Sequence, residues 1–137
     1  MTREEGSAAV ELAVLAPVLV MLLLFVVVVS RLVGARQALV AAAADSARAA
    51  SIEVSPDAAR RAATQAAEAD LAGKRLSCSR MAVVVDTTRF GAGGVISVRL
   101  ACTVTMADLS LLRLPGSETL HGSSSAPIDA FRQMGSG

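Results

Sequence analysis

Few side chains in this chain have the chemistry to act, and most of them are isolated. The one histidine, His121, lies in a polar stretch without the partner and pocket that a general base requires, so it reads as a surface residue. Two cysteines, Cys78 and Cys102, and one histidine fall short of a four-ligand zinc site and match no usual ligand spacing. Gly91-Ala92-Gly93-Gly94 is glycine-rich but lacks the Gly-Lys-Ser/Thr ending of a phosphate loop, and suits a hairpin turn better. Ser123, Ser124 and Ser125 do not stand in the G-x-S-x-G setting of a nucleophile elbow and resemble a linker. With 13 basic and 12 acidic residues the net charge is +1, which leaves no electrostatic footprint for nucleic acid. The expectation is a protein that is not an enzyme, with no cofactor, no metal and no small-molecule substrate. Two features remain: the carboxylate of Glu11 and the cysteine pair.

Glu11 stands directly before an uncharged run, Leu12 to Val29, LAVLAPVLVMLLLFVVVV. As a helix these residues span about 27 Å, close to the hydrocarbon thickness of a bilayer. A helix apolar on every face suits lipid better than a protein core. We therefore expect a transmembrane helix over residues 7–30. Spacing alone leaves Glu11 two roles. It can mark the interfacial end of the span, where it favours a helix N-terminus, or it can be an intramembrane carboxylate kept for function. Ahead of it lies MTREEG, a short polar segment ending in glycine.

The order of Gly6, Ser7 and Glu11 before an apolar helix resembles the N-terminus of type IV pilin-like substrates of prepilin peptidases. More narrowly, the chain resembles the TadE family, pseudopilins of the tight-adherence (Flp) pilus system. The resemblance rests on the G-x-x-x-x-E spacing, on Pro17 within the helix, and on Arg36-Gln37-Ala38-Leu39 followed by Ala47-Arg48-Ala49-Ala50. It covers roughly residues 6–50. It implies a leader peptide, residues 1–6, removed by cleavage between Gly6 and Ser7, and Glu11 as the fifth residue of the mature chain. In such assemblies this glutamate is thought to pair with a neighbour's new N-terminal amine. The implied partners are membrane lipid, the prepilin peptidase, other pilin or pseudopilin subunits and the pilus assembly platform. The implied setting is adhesion or secretion, at the bacterial cytoplasmic membrane.

Positive charge near the span gives Arg3 on one side and Arg31, Arg36 and Arg48 on the other, which alone favours a cytoplasmic C-terminus. The family orientation is the reverse. The even cysteine count tips the expectation to an extracytoplasmic body, because a Cys78–Cys102 disulfide persists only outside the reducing cytosol.

The elements that carry these residues follow from periodicity. Residues 31–53 continue the helix as a stalk, with Leu32, Ala35, Leu39, Ala43 and Ala50 as a narrow apolar stripe. Ser55-Pro56-Asp57 starts a second helix by capping, first-turn proline and dipole complementarity. That helix should end near Ala72 with Gly73 as cap and bury Ala59, Ala62, Ala63, Ala66 and Ala69, leaving Arg60, Arg61, Gln65 and Glu68 solvated. Strands are expected at about 77–86 and 94–106, joined by residues 87–93. Pairing Val85 with Val95 sets Cys78 opposite Cys102 and puts Cys78, Ala82, Val84, Ile96, Val98, Leu100 and Cys102 on one face. Residues 107–116 read as a short apolar connection, and 117–130 as a last strand interrupted at Gly122–Ser125. The fold class is α+β: a long N-terminal transmembrane and stalk helix, an alanine-rich helix, and a small antiparallel sheet. Residues 54–131 form the extracytoplasmic domain and 132–137 a disordered tail. Two other readings stay open. Cleavage by signal peptidase after Ala35 would release a secreted binding module, and an uncut chain would be a single-pass envelope regulator.

Overall fold

The computed structural model describes residues 2–74, 78–105 and 115–131. Two helices and three strands follow in the order α1 (Thr2–Ser51), α2 (Pro56–Gly73), β1 (Arg80–Asp86), β2 (Val95–Thr105) and β3 (Ser117–Pro127). The strands form one antiparallel meander, β1-β2-β3. Both helices pack with it: α1 lies against β2, β3 and α2, and α2 also touches β1. The α+β class is therefore as the periodicity indicated.

α1 is a single helix of 50 residues, about 75 Å long at 1.5 Å per residue. It runs unbroken through Pro17, although a proline there removes the bond to the carbonyl four residues back. Gly34 does not interrupt it either. Its two halves differ in surroundings. From Glu5 to Arg31 the side chains are exposed apart from Leu23-following Leu24 and Val28, which are partly covered. From Ala35 onward one face is buried: Ala35, Leu39, Ala42, Ala43, Ser46, Ala47 and Ala50. The expected stripe is present and wider, and its partners are the chain's own sheet and second helix. Ser46 is the only buried polar residue among those described. Its hydroxyl donates to the Ala42 carbonyl at 2.7 Å, so it packs like an alanine with its polar atom satisfied locally.

α2 begins as its sequence dictates. Ser55 is extended (φ −140°, ψ 154°), its hydroxyl accepts from the Ala58 amide, and Pro56 opens the helix. The buried ridge is Ala59, Ala63, Ala67 and Leu71, a strict four-residue repeat. This corrects the expected face, since Ala69 is exposed and Ala62 and Ala66 are only partly covered. Gly73 is the last helical residue, and Lys74 caps by donating its amide to the Asp70 carbonyl at 3.1 Å. Arg60, Arg61, Gln65 and Glu68 are all exposed. Arg60 pairs with Asp57 at 3.2 Å and donates to Thr87 Oγ1 at 2.8 Å, tying the helix to the β1–β2 turn.

That turn is built by side chain and glycine. Asp86 Oδ1 accepts from the Thr88 amide and hydroxyl, which holds its carboxyl below the usual carboxylate value. Gly93 takes a positive φ of 74°, a conformation that glycine enters without steric cost.

The β1–β2 register departs from expectation. Arg80 pairs with Thr103, Met81 with Cys102, Val83 with Leu100 and Val85 with Val98. Val85 thus faces Val98, not Val95. The slip is an odd number of residues, and side chains alternate faces, so β1 is turned over. Met81, Val83 and Val85 pack against the core, while Ala82 and Val84 are exposed. On β2 the alternation is as expected, with Ile96, Val98, Leu100, Cys102 and Val104 buried.

β3 also differs from expectation: it runs without a break through Gly122–Ser125. Ser97 and Ser125 share a hydroxyl hydrogen bond at 2.8 Å across β2 and β3, and Gly122 is buried. A side chain at Gly122 would place its Cβ 2.7 Å from the Leu39 carbonyl carbon and 2.8 Å from the Val40 amide nitrogen. The glycine is there because the α1 backbone lies directly on it. The expected connection at 107–116, save Pro115 and Gly116, and the whole of the expected tail at 132–137 lie outside the described residues.

Candidate assembly and processing segment

The helical repeat places Gly6, Ser7, Val10, Glu11, Val14 and Leu15 together on one open face near the start of α1. Gly6 and Glu11 are about 7.5 Å apart along the axis at the helical rise. Both are exposed, as is Ser7. The nearest core residue of the folded body, Ala35, lies about 36 Å beyond Glu11 along the helix by the same rise. Among the described residues the only ion pair is Arg60–Asp57, so Glu11 meets no cation from them.

Behind this carboxylate the helix offers nothing but apolar surface. Leu12 is 67% exposed, Met21 72% and Phe25 65%, and none of the most apolar stretch is covered by the rest of the chain. Continuous apolar surface of this extent marks contact with lipid or another protein. In length and composition the helix fits a single-pass membrane anchor. Ser30, just past the run, closes its hydroxyl onto the Val26 carbonyl at 2.7 Å, which hides the one hydroxyl at that end of the span.

The cysteines lie at the other end of the molecule. Cys78 and Cys102 are bonded, with Cα atoms 5.3 Å apart. Cys102 is buried within β2 and faces Met81, not Cys78. The bridge therefore clamps the segment entering β1 onto β2 from outside the paired strand. His121 is exposed on β3 opposite Ala101. It shares the outer face of the sheet with Arg99, Val84 and Ser123.

Two features escaped sequence reading. One is Gly122, taken there as a break. The other is Asp70 on α2, whose Oδ2 atom is out of solvent with no hydrogen-bond partner among the described residues, and whose carboxyl is held above its ordinary value first by Asp45 of α1 and then by burial. Asp70 is three residues beyond Ala67 on the buried side of α2, a helical spacing that does put it near the seam. Its identity as an acid argued for solvent instead.

Residues 6–48 match the family TadE, described as TadE-like protein. The match begins at the glycine of the G-x-x-x-x-E segment and ends within the core-facing half of α1. No curated protein and no solved structure matches the chain.

Proposed function

We propose that this chain, TadE-like over residues 6–48, is a non-catalytic, membrane-anchored pseudopilin of a tight-adherence pilus or a related secretion machine. At a coarse level the TadE-like segment points to tight-adherence pilus systems and to association with pilus subunits. The observation that carries the finer reading is the exposed Gly6–Ser7–Glu11 face at the head of an uncovered apolar helix.

A prepilin peptidase cuts between Gly6 and Ser7, freeing an amine at Ser7. Glu11 then lies at the membrane boundary with one carboxylate to satisfy. A lone carboxylate drawn deeper into the bilayer costs about 2.5–3.5 kcal/mol. Pairing with the amine of a neighbouring subunit offsets that cost and fixes the axial register between helices, since a buried charge is tolerated chiefly when paired. The apolar surface that enters lipid is then also the surface that packs against other subunits.

The disulfide supports a body outside the cytoplasm, against the positive-inside count. The continuity of α1 across Ala35, and the burial of Ala35 itself, support an anchor that stays attached to the domain.

N-terminal sequencing of the mature protein tests processing. A start at Ser7 is expected, whereas a start at Met1 or Thr2 would indicate a plain anchor and one at Arg36 a released module. Glu11→Ala tests assembly: membrane insertion should persist while pilus formation falls, and unchanged pili would refute the pairing role.

A further inference from the structure

The sheet ends at β3, and it ends without protection. β3 pairs with β2 along its whole length, from Thr105–Ser117 to Val95–Pro127, with no bulge. The strand order β1-β2-β3 leaves its other edge without a partner strand among the described residues. On that edge every second residue turns its N–H and C=O away from β2. β3 offers 11 residues of such edge, which folded proteins usually block with lysine, proline or a bulge. It has no lysine or arginine, and its one proline is its last residue. The opposite edge, β1, is shorter, carries Arg80 and Asp86 at its ends and lies beside α2.

A second feature adjoins the β3 edge. α1 lies chiefly on β3, while α2 takes the β1 side, so the side of α1 turned away from α2 lies toward the outer edge of β3. Val40 marks the place. Its backbone nitrogen is 2.8 Å from where a Cβ on Gly122 would stand, yet the residue is 49% exposed. Val33, Gln37, Val40 and Ala44 recur at four- and three-residue steps on one face, and with Arg36 and Ala41 they line an open groove. From Val33 to Ala44 the groove runs about 17 Å, the length of about five residues of strand. A strand laid on β3 would turn alternate side chains onto it, as β3 turns Leu120 and Ala126 inward.

We propose that the β3 edge and this groove form a receptor site for one extended segment of another protein, added antiparallel to β3. The edge supplies a row of backbone donors and acceptors that a second backbone matches, and the groove takes apolar side chains from every second position of the guest. The end of β3 lies by the β1–β2 turn, where the Ile128 amide donates to the Gly94 carbonyl at 2.9 Å. That turn is tied to the start of α2 through Arg60 and Thr87. The start of β3 therefore points back toward Val33 and Arg36, and the C-terminal end of an antiparallel guest arrives there. Arg36 is exposed and offers its guanidinium to a carboxylate at that end. A second copy of this chain does not fit. Pairing β3 with β3 antiparallel inverts one copy, whereas copies anchored in one membrane point the same way. Offering β1 to β3 brings α2 along, toward the place where α1 of the first copy stands.

The test uses the full chain in detergent micelles and a short synthetic peptide of alternating valine and threonine with a free C-terminal carboxylate, labelled with a fluorophore at its N-terminus. Anisotropy should report binding, and amide exchange should slow at every second residue of β3 but not in β1. N-methylating one peptide amide that faces β3 removes a single hydrogen bond and should weaken binding about fivefold. Methylating the next amide, which faces solvent, should not. Amidating the C-terminus should weaken binding to the wild type and make no difference to Arg36→Gln. Val40→Asp, at a half-exposed position, should abolish binding with exchange in β2 unchanged. The receptor site is overturned by a peptide that does not bind, or by two methylated peptides that bind alike. Outer β3 amides already protected without peptide would overturn it too, whether the cover is the chain's own remaining residues or, as concentration rises, a second copy.

Discussion

Gly122 shows how one residue can be read for its type and miss its reason. In sequence, Gly122-Ser123-Ser124-Ser125 carries the signs of a break, because glycine and serine punctuate chains locally. In the fold, the glycine lets β3 lie against the α1 backbone at Leu39 and Val40, and the strand continues through it. No local pattern carries that information, since the backbone that approaches Gly122 so closely lies about eighty positions away in sequence. Gly122→Ala should therefore cost about 1–3 kcal/mol, the range for forcing a methyl into a filled interior. Backbone atoms, unlike a side chain, cannot swing aside, which argues for the upper part of that range. Urea unfolding measures it. Ser46 is the converse. Its polar atom is already satisfied by Ala42, so Ser46→Ala removes a group that contributes little to packing. The change should stay within about 0.5 kcal/mol, a difference the same unfolding curves resolve.

Elements were legible where local rules decide them. The second helix begins at the capping serine and first-turn proline that announce it, and the switch to β-branched residues locates both early strands within a few residues. Register was not legible. Choosing the pairing that set Cys78 opposite Cys102 turned β1 over, because the bridge in fact reaches from outside the strand to a β2 residue facing Met81. Alternation alone cannot arbitrate in MAVVVD, where both faces carry apolar residues. The two registers make opposite predictions for charge. In the observed one Val83 packs on the core and Val84 is 59% exposed. Val83→Lys sets an ammonium against the core from a partly covered position and should cost about 1–3 kcal/mol, within the usual range for a destabilising change, while Val84→Lys should stay within about 0.5 kcal/mol. The reverse ranking in thermal or urea melts would restore the register that pairs Val85 with Val95. The bridge itself closes a loop of 24 residues, for which chain entropy gives about 3 kcal/mol. The Cys78→Ala, Cys102→Ala double variant should lose about that much with the fold retained.

At the scale of the molecule, one helix serves two surroundings, and the boundary between them is sharp. From Glu5 to Arg31 the side chains of α1 find almost no cover from the rest of the chain, and from Ala35 they build its core. Composition hinted at this, because a body with few large apolar residues and no tryptophan or tyrosine has little to bury without help. What composition could not say is that the help is half of α1 itself. Leu39 is fully buried and among the largest such side chains, and losing a buried leucine alone costs about 2–5 kcal/mol. A domain of this size commands only about 5–15 kcal/mol in total. The apolar span, by contrast, contributes no residue to the buried core and so little to the stability of the body. A chain beginning at Arg31 should then be soluble, helical by circular dichroism and cooperative in urea. One beginning at Ile52, which keeps α2 and the sheet but lacks the buried face of α1, should fail to fold. If the shorter chain folded as stably as the longer, the stalk would be an appendage and the sheet would have to find its cover elsewhere. If the longer chain required detergent, the apolar half would be part of the fold and not only its attachment.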